Sequence, residues 1–273
     1  MSVGVVAQRG NERAIELAAA IEETILEGDV DVVMDEATAA ALDAEGRPIE
    51  ALANCDLVAS IGGDGTFLFV AHAVGDTPML GVNLGEVGFL NVVAPSEAPE
   101  LIREVHRELI RGTVTIQSLP RVIAEGEGWS MGPALNEIII HAPQRGHDRG
   151  ITVTVSVDGS RYARDLADGV MVATPTGSTA YNLSEGGPLL TPTIEGFVVT
   201  EMCGREPMPS LVVPRSATVS VDVEGEAFAY VISDSRSTHE LSLPATVRIR
   251  EAATPVRIAG RPLEFFDALS KLD

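Results

Sequence analysis

Leu57-Val58-Ala59-Ser60-Ile61, then Gly62-Gly63-Asp64-Gly65-Thr66, then Phe67-Leu68-Phe69-Val70-Ala71 reads as a strand, a sharp loop and the start of a helix. Backbone N–H groups gather and point outward at such a place, which suits an anion. Glycine at 62, 63 and 65 lets the main chain take positive φ and come close to that anion, and Asp64 places a carboxylate among the amides. Phosphate and carboxylate repel each other, so the acid needs a task. It serves as general base for a hydroxyl nucleophile, or as an anchor for ribose hydroxyls or a magnesium ion. A tight turn whose Asp caps the next helix is the plainer alternative.

Upstream, residues 3–7 and 30–34 are short apolar strands, and Asn11 caps a helix in which Ile15, Ala18, Ile21 and Ile25 recur at helical spacing. Downstream, residues 79–82 make a further strand and 96–111 an amphipathic helix. This rhythm predicts an α/β domain over residues 1–112 with a mainly parallel sheet. Ligands collect at the carboxyl ends of such strands, where Gly62 to Thr66 and Asn83 to Gly85 fall. From residue 113 the pattern changes to short alternating runs at 113–116, 135–141, 151–157, 169–173, 197–201, 218–223, 228–232 and 246–250. Turn signals such as Asp158-Gly159 and Glu224-Gly225 separate them, which predicts an all-β second domain over 113–262. Residues 263–272 read as a helix that packs back on the first domain.

A second glycine-bearing stretch runs Asp168-Gly169-Val170-Met171-Val172-Ala173-Thr174-Pro175-Thr176-Gly177-Ser178-Thr179-Ala180-Tyr181. Four hydroxyls around Pro175 and Gly177 suit a polar, hydroxyl-rich ligand such as a nucleotide. A helix start capped by Ser178 is compatible with that reading. No Gly-x-Gly-x-x-Gly follows a strand, so this is not a dehydrogenase of the Rossmann type, and a dinucleotide bound here is bound as a substrate. His72, His106, His141, His147 and His239 show no ligand spacing, and no metal is assigned to the chain's own side chains.

At 273 residues and 28.7 kDa the chain is long enough for two domains, and 45% hydrophobic with 4% aromatic content fits a Val, Ile, Leu and Ala interior. The formal net charge is −21, and Lys271 is the single lysine among 19 basic residues. That balance is similar to the cytosolic proteins of halophilic archaea, whose carboxylates hold water and cations in molar salt. An ordinary acidic protein from an arginine-rich, GC-rich genome is the plainer alternative. Neither offers a basic stripe to nucleic acid or anionic lipid, and a P-loop lysine is excluded. The first residues lack a charged region and a full apolar region, no run approaches membrane-spanning length, and a cytoplasmic protein is expected. Cys55 and Cys203 read as isolated buried thiols.

Gly62-Gly63-Asp64-Gly65-Thr66, Gly81-Val82-Asn83-Leu84-Gly85 with Gly88-Phe89-Leu90, Leu135-Asn136-Glu137-Ile138, the stretch from Asp168 to Tyr181, and Ser184-Glu185-Gly186-Gly187-Pro188 resemble, in content and order, the NAD kinases. Gly-Gly-Asp-Gly alone is shared with diacylglycerol kinases and, loosely, with phosphofructokinases; the Thr-Pro-Thr-Gly-Ser-Thr-Ala-Tyr string paired with Asn-Glu is far more specific. The resemblance implies an α/β domain, an all-β domain and a ligand site in the cleft between them. It implies phosphorylation of the adenosine 2′-hydroxyl of NAD by ATP or polyphosphate, with Asp64 as catalytic base or orienting acid. Mg2+, or another divalent metal, would travel with the donor. Gly62, Gly63, Gly65 and Thr66 would face the donor, and Asn136 and Glu137 the ribose or adenine. Asp168 would face the nicotinamide end, Thr176 the adenine, and Thr179, Ala180, Tyr181, Asn182 and Ser184 the dinucleotide. A homodimer or homotetramer is implied as well.

Three departures stand out. Leu166 occupies a position that is commonly basic in the family, with Arg161 and Arg164 nearby. The basic residue expected about a dozen positions after Asn-Glu falls within Arg145-Gly146-His147-Asp148-Arg149, and Ser233-Asp234-Ser235 stands where Asp-Gly is common. Another Gly-Gly-Asp-Gly kinase and a non-catalytic NAD-binding sensor are the alternatives.

Overall fold

Apolar alternation and helix caps build two separate layers of structure from this chain. The computed structural model describes residues 1–28, 30–85, 88–144, 150–225 and 227–270. Two compact units are formed, Met1–Leu119 with Thr254–Asp273, and Pro120–Ala253.

The first unit opens with β1 (Ser2–Ala7), α1 (Glu12–Leu26), β2 (Asp31–Met34), α2 (Glu36–Ala41), β3 (Leu57–Gly62), α3 (Asp64–Val74), β4 (Met79–Asn83), α4 (Ala98–Arg111) and β5 (Ile116–Leu119). The second unit contains β6 (Val122–Gly126), β7 (Trp129–Ser130), β8 (Glu137–His141), β9 (Ile151–Val157), β10 (Ser160–Ala167) and β11 (Gly169–Ala173). After α5 (Tyr181–Ser184) come β12 (Gly196–Met202), β13 (Leu211–Pro214), β14 (Val219–Glu224), β15 (Phe228–Ser233), β16 (Ser237–Ser242) and β17 (Ala245–Glu251). The chain then returns to the first unit as β18 (Val256–Ala259) and α6 (Phe265–Leu269).

The first unit's sheet runs β2-β1-β3-β4-β18-β5, parallel except where β18 meets β5. β3 is buried at all six positions, as a central strand covered on both faces must be. The Asn11 side chain caps α1 by accepting from the Ala14 N–H at 3.4 Å, and Ala14, Ala18, Ile21 and Ile25 form the buried stripe. These side chains share a core with Val3, Val5, Leu57 and Ile61.

The second unit is two antiparallel six-stranded sheets, ordered β10-β9-β14-β17-β6-β7 and β13-β12-β11-β8-β15-β16. Val153, Val155, Val221 and Val247 of one sheet pack with Ile138, Ile140, Val172 and Val199 of the other. In the first of these sheets alternation with polar residues, as in β9, leaves one dry face, whereas β8, β11 and β12 of the second are buried on both faces, with Ile139, Met171 and Val198 in a further apolar cluster.

The boundary between units differs from the 112/113 and 262/263 divisions expected. Residues 113–119 and 254–262 belong to the first unit, because β5 and β18 pair with each other at residues 116–119 and 256–259 and β18 adds to β4. The predicted terminal helix is present as α6, with Phe265 and Ala268 buried; residues 271–273 lie outside the described residues. Cys55 is buried as expected, whereas Cys203 is exposed, because it leaves β12 at a left-handed turn with φ 50°. Among the described residues no helix is long and apolar enough to cross a membrane.

Candidate functional site

In the first unit the site is built where β3 ends and α3 begins. Only Gly63 separates them, at φ −97° and ψ −177°. None of Gly62, Gly63 and Gly65 uses the positive φ that glycine permits, because so short a connection needs an extended N-cap rather than a left-handed turn. Glycine is required at 62 for closeness: a Cβ there would lie 2.6 Å from Thr66 Oγ1. At Gly63 and Gly65 a Cβ would meet nothing within 4 Å, so the backbone faces open space there. A cavity of ≈ 450 Å³, lined by Gln8, Arg9, Asp35, Gly63, Gly65 and Thr66 among others, adjoins this loop.

Asp64 is the first residue of α3, and its carboxylate is held from the far side by the segment after β4. Oδ2 accepts from the Phe89 N–H at 2.8 Å. Oδ1 accepts from the Leu90 N–H at 3.1 Å and from Asn91 Nδ2 at 3.2 Å. An ionised carboxylate has about four acceptor positions, so one on Oδ2 is left for a further donor. Asn91, only 2% exposed, is a site residue that sequence reading missed; its signal was an amide directly after Gly88-Phe89-Leu90.

The second unit brings Asn136, Glu137 and the loop 174–179 together at the mouth of β8 and β11. The Thr174 N–H donates to the Asn136 carbonyl at 2.8 Å, and a Cβ on Gly177 would fall 2.0 Å from that same oxygen. Only glycine lets the two backbones approach so closely. Asn136 Oδ1, Glu137 Oε2 and Thr176 Oγ1 are buried and lack a hydrogen-bond partner. Buried polar atoms are nearly always satisfied, so three orphans on adjoining segments mark a place shaped for a ligand. Burial, and then the charge of Asp234, push the Glu137 carboxyl up to about 8 from an ordinary 4.5.

Asp234 is a second residue that sequence reading did not assign. It sits at φ 47° just past β15, and its carboxylate accepts the N–H groups of Leu135, Asn136 and Glu137 at 2.7, 2.8 and 3.0 Å. An acid between two serines after an apolar strand was the available signal.

Other predicted residues are placed more variously. Thr179 Oγ1 donates to the Thr176 carbonyl at 3.1 Å, Ala180 and Tyr181 are half-buried at the head of α5, and Ser184 is exposed at its end. Asp168 leads into β11, its N–H donating to Met202 O at 2.9 Å and its carbonyl accepting from Ala142 N at 2.8 Å. Asn182 is fully buried, with Nδ2 donating to the Ser178 and Pro188 carbonyls and Oδ1 accepting from Thr200 Oγ1. These three hydrogen bonds use the Asn182 side chain to hold the loop and the following segment together. Ser178 does not cap a helix: its hydroxyl donates to Pro175 O and accepts from Leu190 N, tying the loop to the following segment. Arg161 and Arg164 are exposed, and Arg164 pairs with Glu224 at 3.0 Å. The cation whose backbone the fold lays beside Leu166 is Arg205, whose N–H donates to the Leu166 carbonyl at 3.0 Å. Residues 145–149 lie outside the described residues. Among the described residues no group of three or more His, Cys, Asp and Glu is arranged to hold a metal.

An α/β unit with an acid-bearing glycine loop, joined in one chain to a β unit with an orphaned amide, acid and hydroxyl, defines a phosphotransferase of the Gly-Gly-Asp-Gly type. The family model of the ATP-NAD kinase N-terminal domain matches residues 3–110, and that of the ATP-NAD kinase C-terminal domain matches residues 135–260. The chain belongs to the NAD kinase family. The NAD kinase of Halobacterium salinarum is 52% identical over 282 residues, and that of Natronomonas pharaonis 51% over 273, each match covering 100% of both chains. Among solved structures, an NAD kinase from Archaeoglobus fulgidus in complex with ATP superposes with a TM-score of 0.78 at 26% identity, covering 100% of this chain and 98% of that one. Yeast NADH kinase complexed with NADH shares the fold, with a TM-score of 0.86 at 22% identity over 100% of this chain and 87% of its own.

Proposed function

We propose that this protein transfers the terminal phosphoryl group of ATP, or of polyphosphate, to the adenosine 2′-hydroxyl of NAD, giving NADP. The observation that carries the reading is the Asp64 carboxylate, fixed by three donors with one acceptor position left over. That position takes the hydrogen of a substrate hydroxyl, orienting the oxygen for attack and drawing off its proton as the new O–P bond forms. The open amides around Gly63 and Gly65, at the head of the 11-residue helix α3, favour the charge that builds on the donor's oxygens. Asn136, Glu137 and Thr176 supply unmatched polar atoms for a ribose or base edge. The remaining family positions, Asp168, Thr179, Ala180, Tyr181 and Ser184, belong to the same dinucleotide reading.

The chain's own side chains do not form a resident metal site among the described residues. A divalent ion such as Mg2+ belongs with the donor, whose phosphate oxygens are hard ligands for it. Assembly as a homodimer or homotetramer is supported by exposed Ile194, Met208 and Val212 at and near β13, an edge strand. A cytoplasmic location accords with the acidic surface and the small-molecule substrates.

The test is product identification in molar KCl with magnesium and either ATP or polyphosphate. Purified protein should convert NAD to a product with phosphate on the adenosine 2′ position, and should leave diacylglycerol and fructose 6-phosphate untouched. Turnover of either competitor in place of NAD would move the protein to another Gly-Gly-Asp-Gly kinase. NAD binding with no turnover by any donor would make it a sensor.

A further inference from the structure

Two carboxyl groups meet at the mouth of β8, and their surroundings differ sharply. Asp234 has three backbone N–H groups aimed at its oxygens, from Leu135, Asn136 and Glu137, so its negative charge is matched in place. Its own N–H donates to the Glu137 carbonyl at 3.1 Å, which locks the two segments in register. Glu137 is 3% exposed, and its Oε2 has no partner. A buried carboxylate with an orphaned oxygen beside a second carboxylate that accepts three N–H groups is the one that holds a proton more readily.

The register partner of Glu137 on β11 is Ala173, and the loop 174–178 that covers Asn136 is Thr-Pro-Thr-Gly-Ser. The influences on the Glu137 carboxyl are burial and the charge of Asp234.

We propose that Asp234 is the positioning residue of this subsite: it fixes the Leu135–Glu137 backbone and, adding to the burial of Glu137, helps keep it a neutral acid, so that Glu137 meets its ligand as a hydrogen-bond donor. The complementary ligand atom is an acceptor, such as a ribose oxygen or a ring nitrogen of a base. Asn136 Oδ1, orphaned alongside, takes a donor from the same ligand. The naming of NAD as that ligand rests on the function proposed above; the Asp234–Glu137 relation does not.

The experiment has an arm for each part. In ligand-free protein, the carboxyl 13C or infrared signal of Glu137, assigned by its loss in Glu137→Gln, is followed from about pH 4 to pH 9.5. The expected midpoint is about 8 in the wild type, with a lower midpoint in Asp234→Asn. Asp234→Ser replaces that variant should Asp234→Asn fail to fold. A wild-type midpoint in the ordinary carboxylate range, or one that the loss of the Asp234 charge leaves in place, overturns the proposal.

In the second arm, NAD affinity is measured by calorimetry over the same range. Wild-type affinity should fall up to tenfold for each unit above about pH 8, as the donating form is lost. Glu137→Gln should lack that break whatever its absolute affinity, and Asp234→Asn should show it at lower pH. A break that persists in Glu137→Gln, or NAD affinity that is flat to about pH 9.5 in the wild type, overturns the donor role. A midpoint at about 8 in a protein that never binds NAD upholds the pair and sinks the function proposed above.

Discussion

Glu137→Gln replaces a buried acid by an amide of nearly the same shape, and it should show up in stability as a dependence on pH. Glu137 is 3% exposed, and burial with the Asp234 charge lifts its carboxyl from 4.5 to about 8. Between those values the unfolded chain has released this proton while the folded protein keeps it. Folding therefore takes up a proton, so the contribution is fully present below about pH 4.5, declines as pH rises, and levels off above about pH 8. Each unit is worth about 1.4 kcal/mol, so this group alone costs the wild type about 3 kcal/mol between about pH 5 and pH 7.5. Glutamine does not titrate, and the remaining carboxylates cancel when variant and wild type are compared in the same molar KCl. Unfolding is followed by the fluorescence of Trp129, the chain's one tryptophan and a residue of the second unit. The variant should gain on the wild type by about 3 kcal/mol across that interval. A difference that stays flat within about 1 kcal/mol refutes the protonated Glu137.

Three further outcomes follow from the packing. Gly177→Ala drives a Cβ to 2.0 Å from the Asn136 carbonyl, backbone against backbone, and should raise the KM for NAD at least tenfold while lowering Tm. An unchanged KM contradicts the close approach of the two segments. Asn182→Ala strips the carbonyls of Ser178 and Pro188 of a donor and Thr200 of an acceptor; thermal unfolding should report a loss of about 1–3 kcal/mol. A variant of wild-type stability and reduced NAD affinity would instead make Asn182 a ligand contact. Gly81→Ala puts a Cβ 2.3 Å from Asn91 Oδ1 and 2.8 Å from Leu90 O, displacing the segment that holds Asp64. Its kcat should fall by more than about tenfold with KM less affected, since the reacting geometry rather than binding is disturbed.

Periodicity carried most of the architecture. The buried run at residues 57–61 and the Asn11 cap announce a covered parallel sheet, and the alternation in residues 151–157 announces a half-buried antiparallel one. What it could not carry is the crossing at residues 113–119 and 254–262, because a four-residue strand looks the same whichever sheet it joins. The glycine loop was legible as a place for an anion, while the reason for its glycines was not. Their use is close packing at Gly62, against Thr66 and the distant Gln8, and open approach at Gly63 and Gly65. Asn91 and Asp234 escaped for a related reason: each acts across 27 or about 98 residues of chain, on Asp64 and on the Leu135–Glu137 backbone. The local signals, an amide after Gly88-Phe89-Leu90 and an acid between two serines, do not show which distant segment each one reaches. The run that holds Asn182 is legible as a binding motif, whereas the use of its amide to tie the loop together shows only in the fold.

The most direct measurement is the rate of NADP formation by wild type and Asp64→Asn, in molar KCl with magnesium, NAD and the preferred donor. The asparagine keeps the shape but loses the anionic acceptor on which the substrate hydroxyl is to be oriented. A variant with intact circular dichroism and Tm should lose roughly 10²- to 10⁴-fold in kcat, with a much smaller change in the KM for NAD. A folded Asp64→Asn protein that turns NAD over at the wild-type rate would contradict the assignment of phosphoryl transfer to this loop.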